Sequence, residues 1–287
     1  MGSDVVWHGL LRLILPRQDG HGNFNFANMI ARPNLLFTFF VITLGMLSGE
    51  TRAESIRQVK TDPLASAKQM VVVITKGWDV VPGELQKFAR ADDKSPWKKV
   101  GTKITVVVGR NGLGWGRGLN APVNLPGPIK KEGDGKSPAG IFRLSSAFGL
   151  AEPGQMKSVK LPYQPLASVI ECVDDVTSIH YNSIVNRGQV PKVDWNSSEK
   201  MREVGAQYRL GVVVDHNVAP RMAAGGSCIF MHIWKDAKTG TSGCTAMDSE
   251  KMDAFLPWLD PAAHPVLVQL PESEYKRLRK DWQLPKP

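Results

Sequence analysis

Apolar residues fall into three patterns along the chain. The first is one unbroken run at 35–47, LLFTFFVITLGML. Its thirteen residues fall short of the roughly 20 that a membrane-spanning helix needs. The run fits the apolar core of a signal peptide, with Arg32 ahead of it and Thr51-Arg52-Ala53 behind it. Cleavage after Ala53 is expected. Residues 1–28 carry Asp4, Asp19 and no lysine, so Met29 makes a better start of such a leader. An uncleaved signal anchor is the alternative reading. The expected organisation is an upstream extension plus signal peptide at 1–53 and a polar linker at 54–69. A single domain over 70–271 and a charged tail at 272–287 follow.

The second pattern begins near Met70. Short β-branched runs recur between Gly, Pro, Asn and Asp, which predicts strands at 71–75, 104–109, 141–144, 169–173, 210–214, 228–233 and 266–270. The third pattern is helical. Residues 248–259 open on an acidic cap and place Met252, Phe255, Leu256 and Leu259 on one face, with Pro257 expected to kink or shorten the helix. Residues 273–282 are charged and predict a helix on the outside. The fold class is mainly β, with mixed sheets or a sandwich and a few short helices.

Composition narrows the partners rather than the fold. The net charge of +9 favours an anionic partner or matrix. No run of five or six basic residues and no nucleic-acid motif accompanies it, so nucleic acid is not expected. Three cysteines are too few for a disulfide framework. Cys172 and Cys228 lie in apolar runs and read as core cysteines, with a disulfide between them left open.

The glycine-rich segment 109–118 resembles a nucleotide loop only in composition. Prolines at 122, 126 and 128 prevent the prompt helix that a phosphate loop requires. A hairpin or loop carrying an exposed Trp115 is expected instead. His180, His216 and His232 lack the spacing of a zinc site, so neither a metal nor an organic cofactor is expected.

The chemistry concentrates in residues 227–247, SCIFMHIWKDAKTGTSGCTAM. A thiol attacks acyl groups only as thiolate, and a neighbouring histidine can take its proton and later return it to a leaving amine. His232 ends a predicted strand, and the turn-rich stretch 235–240 can fold Cys244 back against it. A regular strand would separate the backbones of Cys228 and His232 by about 13 Å, so Cys228 is a poor partner for His232. Gly243 permits close backbone approach, and amides around Ser242 and Gly243 are candidates for holding an oxyanion. A helix starting near 248 could favour the thiolate through its dipole. His216, Trp234 and Tyr181 are candidates for lining the substrate site.

This segment resembles the active-site signature of the L,D-transpeptidase catalytic domain, or YkuD-like, family. His232 matches the family's base, Thr241-Ser242-Gly243-Cys244 its cysteine motif, and Met247 the motif's tail. Residues 133–142, GDGKSPAGIF, resemble the family's Thr-Pro-x-Gly-x-Phe turn and strand. Residues 172–182 resemble a stretch of one exported branch. Two positions depart: Ser242 stands where the motif has a second histidine, and Ala246 where it has an arginine. The resemblance covers about residues 100–270. It implies a YkuD-like fold and a Cys244 thioester formed on a peptidoglycan stem peptide, with His232 as proton acceptor and donor. An amine acceptor resolves the thioester; water would make the protein an L,D-carboxypeptidase. The resemblance also implies that a carbapenem acylates Cys244. Location in the periplasm or cell envelope is expected, with no stable membrane anchor after cleavage, and the sequence sets no oligomeric state. The contrasting class is a wall-binding module without turnover, from which an activated thiol, quick to alkylate near neutral pH, would distinguish an enzyme.

Overall fold

The computed structural model describes residues 62–119 and 125–287. Thirteen strands are present among them: β1 (Gln69–Thr75), β2 (Pro82–Ala89), β3 (Lys98–Val107), β4 (Leu113–Trp115), β5 (Ser137–Gly149), β6 (Tyr163–Pro165), β7 (Ile170–Val173), β8 (Ser183–Asn186), β9 (Ser198–Lys200), β10 (Leu210–Val214), β11 (Phe230–Ile233), β12 (Thr245–Met247) and β13 (Val266–Pro271). Two short α-helices follow late in the chain, α1 (Ser249–Phe255) and α2 (Glu272–Leu278). No helix of the described residues is long and apolar enough to cross a membrane.

The main sheet is mixed. Its order is β10-β11-β12-β3-β2-β1-β13-β5-β4, and a further pairing of β10 with β5 closes the path on itself. β1 shows why such closure suits the sequence. Its run QMVVVIT is buried almost throughout, as expected of a strand covered on both faces. It pairs parallel with β13 and antiparallel with β2. The enclosed core includes Val71, Val73, Leu85, Phe142, Met231, Phe255 and Leu267.

Several elements depart from the sequence reading. β2 was not expected, because PGELQKFA carries few β-branched residues; its pairing with both β1 and β3 decides its conformation. Trp115 is 1% exposed, not a surface residue. Its indole N–H donates to the Pro126 carbonyl, and its ring meets Trp78 edge-on. The described end of the expected linker is packed: Leu64 and Ala67 are buried, and Arg90 binds both of their carbonyls. The C-terminal helix is not merely an outer tail. Tyr275 and Leu278 are buried against the core, and the Tyr275 hydroxyl donates to the Pro285 carbonyl. The expected signal peptide lies outside the described residues.

A second sheet, β8-β7-β9, sits within the insertion between β6 and β10. Glu171 of β7 binds Lys200, Ser198 and Trp195. Burial alone would raise its carboxyl, but these hydrogen bonds bring it down to about 2. Cys172 pairs with Cys228 in a disulfide with Cα atoms 6.0 Å apart, so neither is a free core cysteine. The strand predicted from 228 in fact starts at Phe230. Cys228 has φ +53°, outside the strand region, and its amide donates to Asn182 Oδ1. The disulfide therefore ties the small sheet to the chain entering β11.

Candidate active site

β11 and β12 lie side by side and parallel, with Met231 opposite Thr245 and His232 opposite Ala246. The connection between them turns on Asp236, whose Oδ1 accepts from the amides of Lys238 and Thr239. This return brings Cys244, just ahead of β12, to the same cleft as His232. The cleft has a volume of about 610 Å³ and is lined by Arg110, Lys130, Glu199, Tyr208 and Trp234 besides the pair itself.

Cys244 is the only free cysteine among the described residues and is buried. Its sulfur accepts from the Phe230 amide at 3.3 Å and lies 3.6 Å from the Cys228 carbonyl oxygen. Burial pushes the thiol up to about 12, with the Glu199 charge adding to the effect. His232 is also buried, and burial lowers its imidazole to about 4. The resting pair is thus a neutral thiol and a neutral imidazole, not a standing thiolate. His232 Nδ1 lies 2.8 Å from the Ile233 carbonyl. A proton on Nδ1 would make that contact a hydrogen bond and leave Nε2 as the acceptor. The helix-dipole expectation fails on the chain path. β12 separates Cys244 from α1, and the Asp248 carboxylate already caps that seven-residue helix.

Ser242 Oγ accepts from Arg110 Nη1 at 3.1 Å. Arg110 comes from the glycine-rich segment, whose backbone at Gly109 and Arg110 pairs with Thr241. A cation thus reaches the cysteine turn from another element. Ala246 is fully buried between His232 and Val107, where an arginine side chain would lack room and solvent. The Gly243 amide donates to Thr241 Oγ1, so it is engaged within its own turn. A side chain at Gly243 would meet Ile229, the Lys136 carbonyl and Lys130 within 4 Å.

Two residues expected to line the site do not. His216 is 1% exposed, accepts from the Arg117 amide at Nδ1, and contacts the Gly225 carbonyl through Nε2. It holds the loop ahead of Ser227. Tyr181 is buried and donates to Glu132 Oε2 at 2.5 Å while accepting from the Gly226 amide. It braces the cleft wall without lining it. Trp234 does line the cleft.

Sequence reasoning missed Arg110, Lys130, Glu199 and Tyr208. Lys130 is buried and ion-paired with Asp134. Tyr208 donates to Glu199 Oε1 at 2.7 Å, and its ring meets the His232 imidazole edge-on at 5.2 Å. None belongs to a local motif. The only available signal was Arg110, a cation inside a glycine-rich turn. Among the described residues, no group of three His, Cys, Asp or Glu could hold a metal ion.

Fold and cleft together define a mainly β domain in which a thiol and an imidazole line one open cleft. The model of the L,D-transpeptidase catalytic domain family, YkuD, matches residues 86–268, and the chain belongs to that family. Members are acyltransferases acting on peptidoglycan stem peptides. A search of curated proteins finds no match to the chain.

Proposed function

We propose that the protein is a peptidoglycan L,D-transpeptidase of the cell envelope that works through a Cys244 thioester. The observation that carries the reading is the cleft shared by His232, on β11, and Cys244, just ahead of the parallel strand β12. The stem-peptide carbonyl approaches the sulfur, and the thiol proton passes to His232 Nε2 as the carbon–sulfur bond forms. His232 then returns the proton to the departing D-residue amine. An incoming amine attacks the thioester, and His232 accepts its proton in turn. Burial of both partners keeps the thiol neutral until an electrophile is in place. This replaces the expectation of rapid alkylation near neutral pH: free Cys244 should react slowly there. The developing oxyanion would meet the Cys244 amide.

Incubating the protein with purified muropeptides and weighing the products tests the reading. Loss of a terminal D-residue with a gain of an amine acceptor is expected. Loss without gain would make water the acceptor and the protein an L,D-carboxypeptidase. No change of mass in any muropeptide would leave a wall-binding module.

A further inference from the structure

The small sheet brings Glu199 to the catalytic cleft on β9, opposite Cys172 in register. Its carboxylate receives the Tyr208 hydroxyl proton at 2.7 Å. Tyr208 is 2% exposed, lines the same cleft as Cys244 and packs in one buried cluster with it. Tyr208 therefore meets the imidazole through its ring and shares a buried cluster with the sulfur. A tyrosine has one hydroxyl proton to give. Here two acceptors compete for it, the Glu199 carboxylate and the sulfur as it becomes thiolate.

We infer that Tyr208 is the hydrogen-bond partner of the nucleophilic sulfur, and that Glu199 is the positioning residue deciding which way the Tyr208 proton points. The inference rests on Cys244 being the nucleophile. With Glu199 ionised, the hydroxyl proton goes to the carboxylate, and Tyr208 offers the sulfur only a lone pair. That arrangement holds the proton on the thiol. With Glu199 protonated, the carboxyl can donate to the Tyr208 oxygen, and the hydroxyl turns to the sulfur. A hydrogen bond to the thiolate then forms, and the repelling charge is gone.

The groups facing Glu199 are few. Tyr208 comes from the turn before β10, Asp174 from just past β7, and Cys244 from the turn before β12. Glu171 and Lys200 occupy the alternate register positions of the small sheet and pair with each other. Burial raises Glu199 to about 6, with Asp174 reinforcing the effect. Burial holds His232 below that value, at about 4, and pushes the thiol above it, to about 12. Between them, Glu199 is the group whose charge changes within the site.

Alkylation of Cys244 by iodoacetamide reads this directly and asks nothing of the peptidoglycan reading. In that reaction the thiol proton leaves for His232, the sulfur–carbon bond forms, and iodide departs. The other two cysteines are tied up in the disulfide. In the native protein, the rate should fall as pH rises from about 5 to about 7.5, opposite to an ordinary thiol. Glu199→Gln should be about tenfold faster than the native protein near pH 7.5 and flat across that range, since an amide can donate to the Tyr208 oxygen and carries no charge. Tyr208→Phe should remove most of that gain when combined with Glu199→Gln. A merely structural Glu199 would make the glutamine variant slower. A native rate that climbs steadily with pH would overturn the inference, even if the glutamine variant failed to fold. So would a folded Glu199→Gln protein no faster than the native one. Muropeptide turnover fails or succeeds separately, so the two readings can fall independently.

Discussion

Cys244→Ala should abolish acylation altogether. A carbapenem offered to the native protein should leave a stable adduct, and peptide mapping should place the added mass on the fragment containing Cys244. The alanine protein should show none. Its fold should persist, because the site contributes one small side chain at the cleft wall and alanine fills most of that space. The disulfide gives an internal contrast. Cys172 and Cys228 are bonded to each other, so neither can compete for the electrophile. Replacing both by serine should lower stability by about 2–4 kcal/mol, as is typical of a lost native disulfide. The adduct should still map to Cys244. An adduct elsewhere, or undiminished muropeptide turnover by Cys244→Ala, would remove both the nucleophile and the mechanism.

His232→Ala should slow acylation by roughly 10²–10⁴-fold, the usual contribution of a positioned acid–base group. The effect is expected to be large because the buried thiol, pushed up to about 12, is not ionised at neutral pH. Without the imidazole its proton has no good acceptor. Far-ultraviolet circular dichroism of the variant should match the native protein, which separates lost chemistry from lost fold. A fall of less than tenfold would mean that another group takes the proton. His216 could not be that group, since it is sealed between Arg117 and Gly225. The remaining candidate would be the Glu199 carboxylate.

Local sequence carried the β-rich class, because alternation and β-branched runs reflect how a strand presents its faces wherever the chain lies. β10 falls where the pattern placed it, at Leu210–Val214. Asp248 caps α1 as its side chain and position predicted, and Pro257 lies in the tighter turn that ends the helix. The His232–Cys244 pair was legible for a similar reason. Only twelve positions separate them, and the intervening turn residues announce a return of the chain.

The rest depended on contacts between distant segments. Strand β2 lacks intrinsic preference and exists because β1 and β3 flank it. Trp115, read as exposed, is buried by segments that close over it from both sides in sequence. The same holds for the ionisation of the site. Sequence could name a thiol and an imidazole, but burial is a tertiary property, and burial is what sets both neutral. Glu199 and Tyr208 line the cleft of Cys244 from the insertion between β6 and β10, which the Cys172–Cys228 disulfide ties to the chain entering β11. Their spacing from Cys244 in the chain carries no trace of that shared cleft. The sequence by itself determined the β-rich class and which thiol and imidazole lie close enough along the chain to share a cleft. Only the tertiary structure decided their protonation and their company, because desolvation and hydrogen bonding act through space rather than along the chain.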